Sequence, residues 1–246
     1  MRAFRSHALL LRTVPYGETD LILTLLTETD GKLGASLRGG RRSSKRSSGG
    51  VEPFHTLDVL LEERGGELLS LKETRLVVMR ERLVGNLDAM EAGGLALRWA
   101  RHLFPSRQAE TRGWGTLVEL LDALNVLEGG ALPKALLAIA GLRLLSSVGY
   151  ALELDRCVVC GRPCPDSAPA YVQAARGGIV CRACGGGGRL LDGRRRELAR
   201  ASQAGGEPGD QAPLTAPAWL DAPHAETLLA LVRDAMAAHT GLDPSK

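Results

Sequence analysis

The chain has 246 residues, 44% hydrophobic and 24% charged, and its 31 basic and 28 acidic side chains leave a net charge of +3. This composition is that of an ordinary globular protein, and the length suits one large domain or two to three small ones. No apolar run reaches the ~20 residues that a membrane helix needs, and the N-terminal apolar stretch is too short for a signal peptide. We therefore expect a cytoplasmic protein with no membrane contact, in which thiols stay reduced.

Residues 1–80 alternate short apolar segments with turn signals such as Asp30-Gly31 and Gly65-Gly66. Strands are predicted at 6–14, 21–27, 32–37, 56–63 and 67–73. Five short strands joined by hairpins, with one long connection, are typical of a small closed barrel. The pattern predicts a five-stranded β-barrel of the oligonucleotide-binding (OB) type, and the alternative is a three-stranded sheet packed on helices.

The long connection in this predicted barrel is a basic loop, residues 38–50, made of glycine, serine and cations. It contains Arg38, Arg41, Arg42, Lys45 and Arg46, without a carboxylate or an apolar side chain. Guanidinium groups match the geometry of phosphate, and glycine lets the backbone approach a polyanion closely. We predict that these five cations bind DNA phosphates; a solvated linker is the alternative. Tyr16 and Phe54 are candidates for stacking on bases, although a core position is favoured for Phe54.

Residues 81–155 change to helical periodicity. Leu117, Leu120, Leu121 and Leu124 recur at i, i+3, i+4 and i+7, and Pro133 is a good residue to begin a helix. Residues 187–246 are again helical, with an amphipathic segment at 224–240. We interpret 81–155 and 187–246 as two parts of one α-helical domain that is interrupted by a metal-binding module at 156–186. The predicted fold class is α+β and multidomain.

The metal-binding module contains two Cys-x-x-Cys pairs, Cys157 with Cys160 and Cys181 with Cys184. Two such pairs at this separation are typical of a structural zinc site, in which four thiolates satisfy one Zn²⁺ and leave no position for substrate. The fifth cysteine, Cys164, could compete with Cys160, but prolines on both sides stiffen it. A disulfide and a redox-active dithiol remain as alternatives.

A second basic cluster follows the cysteines and comprises Arg189, Arg194, Arg195, Arg196 and Arg200. A solvated helix face and a second DNA contact explain it equally well. The sequence contains no phosphate loop and no dinucleotide-binding fingerprint. No His-x-Glu motif accompanies the cysteine pairs, and the five histidines are scattered. We find no catalytic constellation and predict a protein that is not an enzyme.

Several segments together resemble one known family, the bacterial recombination mediators called RecO. They are ALLLR (8–12), YGETD (16–20), TETDGK (27–32), GGRR (39–42), VEPF (51–54), GELLSL (66–71), the second cysteine pair and AHTGLDPSK (238–246). The resemblance covers essentially the whole chain. It is specific at the N-terminus and weak in the helical middle, and the Gly/Pro-rich segment 205–217 departs from it.

The resemblance implies an OB-type barrel, a helical domain and a zinc module that supports the helical domain. It also implies a DNA repair protein, associated with the nucleoid, that binds single- and double-stranded DNA and anneals complementary strands. Members act on DNA coated by single-strand binding protein, cooperate with the ring protein RecR and help to load the recombinase RecA. The competing hypothesis from the residues is a zinc-knuckle adaptor between proteins, with incidental DNA contact.

Overall fold

The computed structural model describes residues 2–40, 51–63, 65–127, 132–204 and 213–241. The chain divides into two compact units, Met1–Val126 and Leu127–Lys246. The division falls inside the segment 81–155 that the sequence presents as one helical stretch. Among the described residues, no helix combines the length and apolar character that crossing a bilayer requires.

The first unit begins with a closed five-stranded barrel, which confirms the predicted OB-type architecture. Its strands are β1 (Ala3–Tyr16), β2 (Asp20–Thr27), β3 (Gly31–Leu37), β4 (Thr56–Glu62) and β5 (Leu69–Val78). They pair in the order β1-β2-β3-β5-β4, and only the β3–β5 pair is parallel. The strands β1 and β5 extend beyond the predicted bounds.

Alternation of side chains along the strands builds the barrel interior. The buried core cluster is apolar and consists of Ala8, Leu10, Leu23, Leu25, Leu33, Ala35, Leu57, Val59, Leu61, Leu69 and Leu71. The β2–β3 hairpin depends on Gly31, whose φ is +70° and whose added Cβ would lie 1.8 Å from the carbonyl oxygen of Gln108. Only glycine adopts this positive φ easily and has no Cβ to clash with Gln108. The Asp30-Gly31 turn therefore fixes the register of this hairpin.

Among the residues described, the first unit continues with the helices α1 (Glu81–Val84), α2 (Leu87–Leu103) and α3 (Thr111–Asn125). Asn86 caps α2 by accepting a hydrogen bond from the amide of Ala89 at 3.1 Å. Leu9 and Leu26 are paired on the outer face of the barrel and are completely buried, because α2 packs against β1 there. The helices of this unit are thus an extension of the barrel.

The described part of the second unit contains three α-helices, two single-turn 3-10 helices (Ala174–Arg176 and Arg182–Cys184) and a small sheet. Its elements are α4 (Pro133–Ser147), β6 (Ala170–Gln173), β7 (Gly178–Ile179), β8 (Arg189–Leu191), α5 (Gly193–Gln203) and α6 (Ala222–Thr240). Residues 135–145 of α4 are all buried, because α5 and α6 both pack against this helix. The sheet, in the order β7-β6-β8, lies in the segment that contains the cysteines, residues 154–191, which we call the cysteine module. The side chain of Gln203 in α5 holds the chain just before the cysteine module, through two hydrogen bonds with the backbone of Leu152 at 2.7 and 3.1 Å.

Candidate metal centre and nucleic-acid interface

Four cysteine sulfurs come together in the second unit. Those of Cys157, Cys160, Cys181 and Cys184 lie within 4.8 Å of one another, and we call them the cysteine cluster. Cys157 is buried and Cys160 is exposed, so the cluster lies at the surface of the module. None of the five cysteines forms a disulfide bond, and Cys164 is not among the clustered sulfurs.

Two similar backbone turns present the cysteine pairs. In the first, the amide of Gly161 donates to the carbonyl of Cys157 at 2.8 Å, and Gly161 has a φ of +71°. In the second, the amide of Gly186 donates to the carbonyl of Cys181 at 3.0 Å, after Gly185 with a φ of +105°. A positive φ is easy only for glycine, so a glycine after each pair lets the chain turn back and aim both sulfurs at one point.

The electrostatics of the cluster favour a bound cation. Hydrogen bonds from the amides of Cys181 and Cys160 lower the pKa of the Cys157 thiol to about 6. Hydrogen bonds with the sulfurs of Cys181 and Cys160 raise the pKa of the Cys184 thiol to about 12. Neighbouring thiolates repel one another, so the cluster cannot be fully ionised unless a positive ion compensates the charge.

The geometry also fits a tetrahedral metal ion. Zinc–sulfur bonds of about 2.3 Å separate the sulfurs of a tetrahedral site by roughly 3.8 Å. The Cys160 and Cys181 sulfurs are 3.8 Å apart, and the amide of Cys181 already donates to the Cys157 sulfur at 3.4 Å. The four residues could therefore hold one metal ion with little rearrangement. Because four protein ligands fill a tetrahedron, such a site offers no position to a substrate.

Arg196, predicted to be a DNA contact, is only 3% exposed. Its guanidinium group donates hydrogen bonds to four backbone carbonyls of the cysteine module, those of Leu154, Cys164, Pro165 and Asp166. Because the guanidinium group is buried and makes these bonds, it is not accessible to a phosphate. The sequence pattern placed Arg196 correctly on a helix but could not show that this face of α5 covers the loop carrying Cys157 and Cys160.

Most of the other arginines of the second basic cluster are paired with carboxylates. Arg189 lies 2.7 Å from Asp234, Arg195 lies 2.8 Å from Asp192, and Arg200 lies 3.0 Å from Asp155. Asp192 also caps α5 by accepting from the amide of Arg195 at 2.9 Å. Arg194 is exposed. The cluster thus binds α5 to its surroundings, and Arg194 is its best-placed side chain for an external anion.

The basic loop connects β3 to β4 in the first unit. Arg41, Arg42, Lys45 and Arg46 lie outside the described residues, whereas Arg38 is described and exposed at the end of β3. Gly39, just after Arg38, donates its amide to the carboxylate of Asp20 at 2.8 Å, and this bond lowers the pKa of Asp20. The β3 end of the basic loop is therefore anchored to the β1–β2 turn.

Beyond the basic loop, the chain is held at Phe54 by Arg80, a residue that the sequence analysis missed. Arg80 is completely buried; it donates to the Phe54 carbonyl at 2.8 Å and forms an ion pair with Asp122 of α3 at 2.7 Å. Phe54 is buried in the core and has a φ of +74°, while Tyr16 is 63% exposed. Since Arg80 joins β5 to α1 in the chain, one side chain fixes the start of β4 against α3.

Two family models and several known proteins match this chain, and all of them belong to one family. The model of the family described as "Recombination protein O N terminal" matches residues 1–80, and that described as "Recombination protein O C terminal" matches residues 85–242. A DNA repair protein RecO from Anaeromyxobacter sp. (strain K) is 36% identical over 222 residues, which cover 88% of this chain and 86% of the relative. A DNA repair protein RecO from Geobacter sulfurreducens is 36% identical over 185 residues, which cover 75% and 74%.

Proposed function

The chain belongs to the RecO family of DNA repair proteins, and from that premise we propose that it is a DNA-binding and strand-annealing mediator of recombination. The observation that carries the proposal is the closed OB-type barrel with a long connection that contains five cations and no carboxylate. Barrels of this type bind nucleic acid through grooves and loops on one face. The contacts that hold the chain at Gly39 and at Phe54, on either side of the undescribed segment, support this assignment.

The physical basis of annealing is charge neutralisation. Two DNA strands repel each other through their phosphates, and a protein that neutralises phosphates on both lowers this repulsion. The basic loop contains cations, serine and glycine, and no aromatic side chain that could stack on bases. Few aromatic residues are available for stacking, since the chain has three each of Phe, Trp and Tyr. We therefore expect weak, salt-sensitive binding of single- and double-stranded DNA without sequence preference.

The cysteine cluster serves this function indirectly. We propose that it holds one structural Zn²⁺ through Cys157, Cys160, Cys181 and Cys184, because all-thiolate tetrahedral sites are characteristic of zinc. The ion would stabilise the loop-rich module and keep α5 in place. No reaction is assigned to the site, and we propose a protein that is not an enzyme.

The partners follow from the same proposal. On DNA coated by single-strand binding protein, the mediator would bring complementary strands together, cooperate with the ring protein RecR and help RecA to load. Such a protein works in the cytoplasm, at the nucleoid. Of the second basic cluster, we retain Arg194 as a DNA contact and propose that Arg189 and Arg195 contribute less, because carboxylates already compensate their charges.

The annealing rate of complementary strands coated with single-strand binding protein tests the proposal. The loop variant R41Q/R42Q/K45Q/R46Q should anneal them at least tenfold more slowly than the wild type. A control, R2Q/R75Q/R176Q/R233Q, removes the same charge from dispersed sites and should stay within about twofold. If the loop variant anneals as fast as the control, the adaptor hypothesis, in which DNA contact is incidental, becomes the better account.

A further inference from the structure

Five basic side chains from three separate elements meet on the outer face of the barrel unit. They are Arg12 of β1, Lys32 of β3, and Arg98, Arg101 and His102 of α2, and we call them the helix–barrel cluster. Arg12, Arg98 and His102 are exposed, while Lys32 and Arg101 are half-buried. Ninety residues separate the first and last members, so no sequence window contains this group.

Direct contacts hold the helix–barrel cluster together. The ammonium group of Lys32 donates to the carbonyl of Arg101 at 2.6 Å, and the Nη2 of Arg101 donates to the Nε2 of His102 at 2.9 Å. The amide of Arg107 donates to the carbonyl of Lys32 at 2.9 Å. These bonds fasten the end of α2 to β3 and place Lys32 beside Arg101 and His102.

The members of the cluster have cationic rather than acidic neighbours. Burial and then the charges of Arg12 and Arg98 lower the pKa of Arg101. Burial and four neighbouring cations, with no carboxylate, lower the pKa of His102. Within the described part of the chain, no carboxylate forms an ion pair with any member of the cluster.

Two other arginines of the same protein are instead compensated by carboxylates. Arg5 of the barrel contacts both Asp58 and Glu73, and Arg233 contacts Glu226. The partial negative charge at the end of α2 compensates part of the cluster, because Lys32 and Arg101 lie beside the last carbonyls of that helix. This partial charge amounts to about half an elementary charge, which is far less than four full cations carry.

The position of the cluster relative to the basic loop matters for its ligand. Lys32 lies near the start of β3, and Arg38 follows the end of this strand. Six strand residues at about 3.3 Å each separate the two regions by roughly 20 Å. Lys32 and Arg38 therefore lie at opposite ends of one barrel strand, too far apart to bind a single phosphate.

We propose that the helix–barrel cluster is a second DNA-binding surface of the barrel unit, which takes the phosphate backbone of a single strand. The inference rests on the proposed DNA-binding function and adds to it a site separate from the basic loop. Arg12 and Arg98 present exposed guanidinium forks to phosphate oxygens, and Lys32 and Arg101 reinforce the local positive charge. Two separate cationic regions on one barrel are what a protein needs to hold two strands at once.

The test compares the full-length variant R12Q/R98Q/R101Q with the control R75Q/R176Q/R233Q, which carries the same net charge. Affinity for fluorescent single-stranded DNA is measured by anisotropy across a series of salt concentrations. Losing the two phosphate contacts of Arg12 and Arg98, at about 0.7 each, should reduce the slope of log affinity against log salt by at least about 1.4 for the cluster variant. The control should keep nearly the wild-type slope. Melting temperature should not fall in the cluster variant, because removing like charges relieves repulsion.

Each outcome is informative. If the wild-type protein shows no salt-dependent DNA binding, the proposed function is wrong and the inference is overturned with it. If the wild type binds but the cluster variant keeps the slope of the control, only the inference is overturned, and an acidic protein segment becomes the better ligand for this surface. A reduced slope with an unchanged melting temperature supports the cluster as a DNA contact.

Discussion

Replacing Arg196 by Met separates a structural role of this arginine from a role in DNA binding. The side chain is nearly inaccessible and donates to four carbonyls in the segment 154–166. Methionine fills much of the same volume, but it cannot donate hydrogen bonds. The substitution therefore leaves four carbonyls without their donor while changing the packing of α5 little.

The size of the effect follows from these bonds. Each contributes about 0.5–1.5 kcal/mol net, so Arg196→Met should reduce the free energy of unfolding of the second unit by roughly 3 kcal/mol. Metal affinity should fall by about 10- to 100-fold, because the same segment positions Cys157 and Cys160. Arg196→Lys keeps the charge without the planar fork and should give an intermediate loss. The exposed control, Arg194→Met, should change stability by about 0.5 kcal/mol or less.

Chemical denaturation and competition for zinc with a chelator measure these quantities, and anisotropy at saturating zinc measures DNA affinity. The structural account predicts large losses of stability and metal affinity in Arg196→Met, with a DNA salt slope close to that of the wild type. The reasoning is refuted if Arg196→Met keeps its stability and metal affinity but loses salt-dependent DNA binding. That result would mean that Arg196 leaves its carbonyl partners to contact phosphate.

Three further predictions concern the metal site, the barrel turn and the loop anchor. Changing any cysteine of the cluster to Ser should abolish stoichiometric zinc binding and destabilise the module, whereas Cys164→Ser should retain one zinc by elemental analysis. Gly31→Ala should lower the free energy of unfolding of the barrel by roughly 2–5 kcal/mol, as measured by chemical denaturation. The control Gly17→Ala should cost only about 1 kcal/mol, because nothing lies within 4 Å of the added Cβ. The amide of Gly39 lowers the pKa of Asp20, so the stabilisation from its carboxylate is complete above the unfolded pKa and is lost as pH falls through the folded pKa. Asp20→Asn has no carboxylate to protonate, so the free energies of unfolding of wild type and variant should converge below about pH 4. If the two stability curves stay parallel across this pH range, the Gly39 amide does not stabilise the Asp20 carboxylate.

The barrel and the cysteine cluster were predictable because each depends on local patterns. Alternating apolar residues and the Asp30-Gly31 turn predict the hairpins, and two Cys-x-x-Cys pairs predict that four sulfurs meet. A further local signal was available: Gly161 and Gly185 follow the second cysteine of each pair, and no glycine follows Cys164. That difference alone favours the four-cysteine set without Cys164.

The long-range contacts were not predictable from the same patterns. Helical spacing shows which arginines of α5 share a face, but it does not show that Arg196 is buried against the cysteine module. Arg80 reads as one more basic residue between a strand and a helix, although it fixes Phe54 to α3. The helix–barrel cluster escapes detection for the same reason, since its members become neighbours only when α2 packs on the barrel.

The salt dependence of DNA binding tests the central claim, that the basic loop carries DNA affinity on the barrel. Wild type, the loop variant R41Q/R42Q/K45Q/R46Q and the dispersed control R2Q/R75Q/R176Q/R233Q would be titrated against single-stranded DNA from low to high salt. Four lost phosphate contacts at about 0.7 each predict that the loop variant flattens the log–log slope by about 3, while the control keeps nearly the wild-type slope. Equal slopes for the loop variant and the control would contradict the claim and place the DNA path elsewhere on the protein.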